Sequence, residues 1–201
     1  MRRLTILRPY GDALRRYRVT HFEFVSIAFS IVYALSIAKG LDALPAAFEP
    51  SRRYWVHFTW LCVKLVNPAV LWWSAWELRG REEYAFQEFL GVLLIAGTLY
   101  LQIVALVTPN PGAVSNWRAH YYAKRNLFFG ANIALLIELI VAGPLLFGNA
   151  FLSPITFVQI VSVILSGIAM TTENGKVHAC IAALAAVNMF GATFGLANYG
   201  T

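Results

Sequence analysis

Apolar residues in this chain fall into six long runs, at about 21–44, 54–76, 84–107, 127–147, 154–170 and 177–199, separated by short polar or charged brackets. Bilayer hydrocarbon is about 30 Å thick, so roughly 20 residues at 1.5 Å each cross it as a helix. The pattern predicts an all-α integral membrane protein. It is a bundle of six transmembrane helices forming one domain, 21–199, preceded by a basic N-terminal arm, 1–20.

The polar positions inside the runs are ordered. In the first run Glu23, Ser26, Ser30 and Tyr33 recur at three- and four-residue spacing, and Ser36 and Lys39 continue the stripe. That is one helix face, expected to turn toward protein. Lys39 and Asp42 stand three apart, where they can pair or snorkel, and Pro45 is expected to open a loop reaching Arg53. The second run holds Lys64, Asn67 and Pro68 within about one turn near its middle. A lysine at a helix centre costs about 2.5–3.5 kcal/mol on insertion scales. Pro68 has no N–H, so the carbonyl of Lys64 loses its helical partner. The rest of the bundle has to satisfy these groups. Trp72, Trp73 and Trp76 at one end of this run and Tyr54 and Trp55 at the other read as interfacial belts.

Between the third and fourth runs, the sequence Pro109-Asn110-Pro111-Gly112 is a turn. The aromatic and basic stretch from Trp117 to Arg125 then suits a short helix lying on the membrane surface, with a lid over a ligand as the alternative. The fourth run carries Glu138 at its centre. The sixth carries Ala179, Ala183, Gly191 and Gly195 on one stripe, the last two as a GxxxG pair. Such a stripe lets helix backbones approach closely, and it is expected to pack within the subunit in preference to a homo-oligomer.

Composition strengthens this picture. The chain is 59% hydrophobic and 13% charged, against about a quarter charged in soluble domains. The net charge of +6 sits mainly in the N-terminal arm and the short loops, which suits anionic headgroups and excludes a nucleic-acid role. The arm holds Arg2, Arg3, Arg8, Arg15, Arg16 and Arg18, and the apolar run after it is much longer than the core of a signal peptide. The arm is therefore expected to be retained and cytoplasmic, with both termini on the inner face of the inner membrane. Cys62 and Cys180 are isolated and form no metal or redox motif.

Two constellations could carry chemistry. Lys64 and Glu138 fall at matching depth in parallel helices, and an ion pair is the cheapest way to hold opposite charges there. Asn67, Asn188 and the Ser30–Tyr33 stripe are expected to complete that polar cluster. It would serve an ion or proton pathway, or else fix helix register. The second constellation is His57, His120 and His178, expected on one side of the membrane, where they could bind a metal or, as His57 with His178, a haem. Their spacing matches no ligand motif, so no cofactor is assigned. The chain has no phosphate-binding loop, nucleophile elbow, zinc-protease helix or potassium-filter sequence. The leading expectation is a small transport or channel protein for an ion, proton or small solute. The alternatives are a structural or accessory subunit of a larger membrane complex and a bis-histidine haem protein. Besides lipid, its expected partners are copies of itself or other membrane subunits.

The topology is testable. With Cys62 and Cys180 replaced, a cysteine at Asn116 should react with an impermeant maleimide added outside intact cells. Labelling only after permeabilisation reverses the orientation.

Overall fold

The computed structural model describes residues 20–80, 84–148 and 150–197. The basic arm, Arg81–Glu83 of the charged turn, and Tyr199 at the end of the sixth run lie outside the described residues. Among the described residues there is no strand. Six helices form: α1 His21–Phe48, α2 Trp55–Ser74, α3 Phe86–Leu106, α4 Trp117–Phe147, α5 Pro154–Thr171 and α6 Gly175–Ala197. Five of them, all but α2, are long and apolar enough to cross a bilayer. Six spans were expected, and α2 is the helix that falls below this measure. His57, Lys64 and Asn67 dilute its hydrophobicity, and the first two are buried in protein.

Local chemistry sets the helix ends. Thr20 and Glu23 close a reciprocal box at the start of α1: the Thr20 hydroxyl accepts from the Glu23 N–H at 3.1 Å, and the Thr20 N–H donates to the Glu23 carboxylate at 2.7 Å. Asn116 caps α4 by accepting from the N–H groups of Arg118 and Ala119. Gly148, at φ +65°, ends α4 in the left-handed conformation that glycine adopts without strain. Because Asn116 is a cap, the neighbouring exposed Ser115 takes a label with less disturbance.

Two segments expected to lie outside the spans instead extend helices. α1 runs through Pro45 to Phe48, and the stretch from Trp117 to Arg125 forms the first turns of α4 rather than a separate surface helix. The reason is packing. Trp117, Tyr121, Phe128, Asn132 and Leu135 continue one buried face along α4. Trp117 is 0% exposed, and its indole N–H donates to the Ala46 carbonyl at 2.9 Å.

α3 packs on α4 and α1, α4 packs on α5, and α2 packs on α6 and α1. The α5–α6 contact is slight. One core cluster lies around Trp60, Leu106, Trp117 and Phe129 at the end of the bundle that holds His57. The other lies around Phe29, Tyr33, Leu99 and Leu135, toward the end that holds Trp72 and Trp76. The outside is as apolar as the inside. Phe24, Ile27, Ile31 and Leu35 line an outward face of α1 at 56–62% exposure. Water penalises such a surface and lipid does not. The protein is an all-helical bundle with the surface of a multi-pass membrane protein.

The close-packing stripe lies on α1 and not α6. Val25, Phe29, Tyr33, Ser36, Gly40, Ala43 and Ala47 are buried at three- and four-residue steps. Gly40 lets α2 come near: a Cβ there would stand 2.6 Å from Leu65 Cδ2 and 3.2 Å from its Cγ. Gly191 and Gly195 are exposed, and an added Cβ meets nothing within 4 Å at either. The expected packing of the GxxxG stripe inside the subunit is therefore overturned. Gly40→Leu should lower unfolding stability in detergent by about 1–3 kcal/mol, the usual range for overpacking. Gly195→Leu should leave the isolated chain near wild type. Equal losses at both positions would contradict this packing.

Candidate buried polar centre

Lys64 sits on the α2 face turned into the bundle and is 4% exposed. Its Nζ donates to Asn132 Oδ1 on α4 at 2.7 Å. The Asn132 amide group donates onward to Ser166 Oγ on α5 at 2.9 Å, and the Ser166 hydroxyl donates to the Ser162 carbonyl at 2.7 Å. One chain of donors thus joins three helices. The rings of Trp60 and Phe128 flank the amine, with centroids 5.6 and 5.9 Å from Nζ. Aromatic faces attract a cation, more strongly when water is excluded.

Glu138 is not the partner of Lys64. Its Oε1 accepts from the Thr98 hydroxyl on α3 at 2.9 Å, while Oε2 is enclosed without a protein partner. Among the described residues Glu49 pairs with Arg52 and Arg125 with Glu173, and neither pair involves Lys64 or Glu138. The matching depth failed because α4 starts at Trp117, so counting from residue 127 misaligned it with α2. Asn132 stands level with Lys64, and Glu138 lies six residues further along, about 9 Å at 1.5 Å per residue.

The other expected members also disperse. Asn188 is exposed on α6. Asn67 is half-buried and makes no side-chain bond to the centre. Ser30 accepts from the Trp72 indole N–H at 3.0 Å, tying α1 to the far end of α2. Tyr33 is buried beside Phe29 in the other core cluster, with ring centroids 5.4 Å apart. Asn132, Ser166 and Thr98 were missed. Asn132 gave a usable signal, since an amide within an apolar run needs a partner as much as a lysine does.

The histidines act as ties between elements. His57 is 0% exposed and stacks on Trp117 at 4.6 Å, with Nε2 2.7 Å from the Leu106 carbonyl. An oxygen acceptor there requires Nε2 to carry the proton. His178 uses both nitrogens. Nε2 donates to the Thr172 carbonyl at 2.9 Å, and Nδ1 accepts from the Tyr121 hydroxyl at 2.8 Å. His120 lies edge-on to His57, with centroids 6.2 Å apart. The haem alternative loses its geometry, because His178 has no free ring nitrogen and His57 neighbours His120 instead. Among the described residues no three His, Cys, Asp or Glu side chains gather into a metal-binding group. Nearby, Arg52 closes the same end of the bundle by donating to the carbonyls of Gly112 and Val114 at 2.6 and 2.9 Å. The Ser51 hydroxyl and the Arg52 guanidinium together hold the Glu49 carboxyl below the usual carboxylate range.

No protein-family model, curated protein or solved structure matches this chain.

The bonding pattern makes a prediction about coupling. Lys64→Met and Asn132→Leu should each lower stability by about 1–3 kcal/mol, because each leaves a buried polar group unpaired. Their combination should fall short of the sum by about 0.5–3 kcal/mol. Lys64→Met with Glu138→Gln should be additive within about 0.5 kcal/mol, as for sites that share no partner. Unfolding curves of the three single variants and the two doubles test this. Coupling of Lys64 to Glu138 rather than to Asn132 would contradict the assignment.

Proposed function

We propose that the protein is a small transport protein of the inner membrane, with α2 as a sixth crossing and both termini cytoplasmic. Twenty helical residues in α2 reach about 30 Å, enough to cross. Its polar side chains face neighbouring helices, which supply the partners that lipid lacks. The observation that carries the reading is Lys64, an amine enclosed at mid-helix with a neutral amide as its hydrogen-bond acceptor and, among the described residues, no carboxylate paired with it. An ammonium there lacks a counter-charge, and a buried unpaired ion is costly. Taking up a proton therefore favours taking up an anion with it, so one site couples the two movements. Trp60 and Phe128 cover the amine and would have to move for exchange with either side. The second reading, a structural or accessory subunit, draws on the open face of Gly191 and Gly195, where another membrane helix could approach closely.

The test uses proteoliposomes containing a pH-sensitive dye and an imposed nitrate gradient. The wild-type protein should move protons with nitrate. Lys64→Met should reduce the flux at least tenfold, and Glu138→Gln should leave most of it. Equal flux in wild type and Lys64→Met excludes the transport reading. Fixed co-purifying membrane subunits, together with no flux, would favour the accessory role.

A further inference from the structure

We propose that the cleft between α3 and α4 that contains Glu138 binds a free amphipathic amine entering from the bilayer, with its ammonium on the Glu138 carboxylate and its apolar body along the cleft. The inference does not rest on the Lys64 reading, since the two sites share no residue.

The cleft has a volume of about 480 Å³, within the range of pockets that hold small organic ligands. Its walls are mainly aliphatic, with Leu94, Ile95, Val141 and Leu145 among them. Gly91 widens it, because no atom lies within 4 Å of where its Cβ would be. From Gln87 near the start of α3 to Ile95 the cleft follows the helix for about 12 Å, at 1.5 Å per residue. Polar groups stand at both ends: Gln87 and Glu88 at the mouth, and Glu138 at the inner end. Glu88 already serves its own helix, accepting from the Ala85 N–H at 3.0 Å.

Glu138 differs from every other acidic group described. It is half-buried deep along α4, nine residues before Phe147, or about 14 Å from that helix end. Thr98 satisfies Oε1, while Oε2 has no protein donor and is itself covered, so a ligand reaches it once the carboxyl group turns into the slot. A carboxylate beside an apolar slot is completed by one cation, either a proton or an ammonium. The slot's length and aliphatic walls select an ammonium carried on an apolar chain over a hydrated metal ion. Depth selects the source. An aminophospholipid keeps its ammonium next to a phosphate at the interface, whereas a free amine can carry its charge inward and leave its chain in the slot.

The experiment uses the full chain in phosphatidylcholine nanodiscs with radiolabelled dodecylamine, and dodecanol as the uncharged match. Dodecylamine should occupy one saturable site per chain. Glu138→Gln should weaken binding at least tenfold. Gly91→Leu, which puts a side chain into the slot seven residues along α3 from Thr98 and whose Cβ meets no atom within 4 Å, should do the same and keeps the test valid should Glu138→Gln fold poorly. Lys64→Met should bind normally, so failure of the transport reading leaves this result intact. Dodecanol binding as tightly as dodecylamine, unchanged binding in Glu138→Gln, or non-saturable partition alone would each overturn the proposal. Competition by phosphatidylethanolamine in the nanodisc would also overturn it, by giving the site to a lipid headgroup.

Discussion

A polar side chain inside this bundle has to find its partner within the protein, because the surrounding surface is built for hydrocarbon. The bond from Lys64 to Asn132 is where that constraint acts most strongly. α2 and α4 otherwise touch little, yet this bond fixes their relative height, and Asn132 passes the constraint to α5 through Ser166. Both ends of the Asn132 amide are engaged, so it cannot rotate or shift by a turn without losing two buried bonds. A neutral acceptor also leaves Lys64 free of a resident counter-ion, which is what distinguishes the centre from an ordinary structural ion pair.

The two ends of the bundle are held by different chemistry. Around His57, aromatic rings and carbonyl contacts form a dense knot. Trp117 reaches Ala46, His57 reaches Leu106, Tyr121 reaches His178, and Arg52 reaches the 3₁₀ turn Pro111–Ala113. These contacts cross from helix ends to loops, so they order the connections as well as the helices. Toward the other end the core is largely aliphatic, and Trp72 to Ser30 is its main side-chain bond between α1 and α2. The cleft beside Glu138 lies in this looser half. Gly91 leaves room there, along the cleft between α3 and α4.

Lys64 and Glu138 show how one fold gives opposite charges unlike surroundings. The lysine is sealed between two rings and an amide. The carboxylate borders an open slot and keeps one oxygen without a donor. Lys64 on α2 meets α4 at Asn132, about 9 Å along that helix from Glu138 at 1.5 Å per residue, so the two charges do not pair.

The sequence by itself determined the class of this protein. Run length and the density of apolar residues depend only on neighbours along the chain, and they located the helices to within a few residues except at the start of α4. It also identified Lys64, since a lysine in an apolar run demands a partner wherever the helix lies. Only the tertiary structure decided which partner that is. Depth counted from an assumed helix start carried an error of several residues, and six residues along α4 separate Asn132 from Glu138. The small-residue pattern on α6 was equally visible and equally undecided, because spacing shows that a face permits close approach and not that anything approaches. The face that packs, through Gly40, Ala43 and Ala47, is on α1. Helix formation is local and legible, whereas pairing is a choice among faces of similar apolarity, settled by which arrangement leaves the fewest buried polar groups alone.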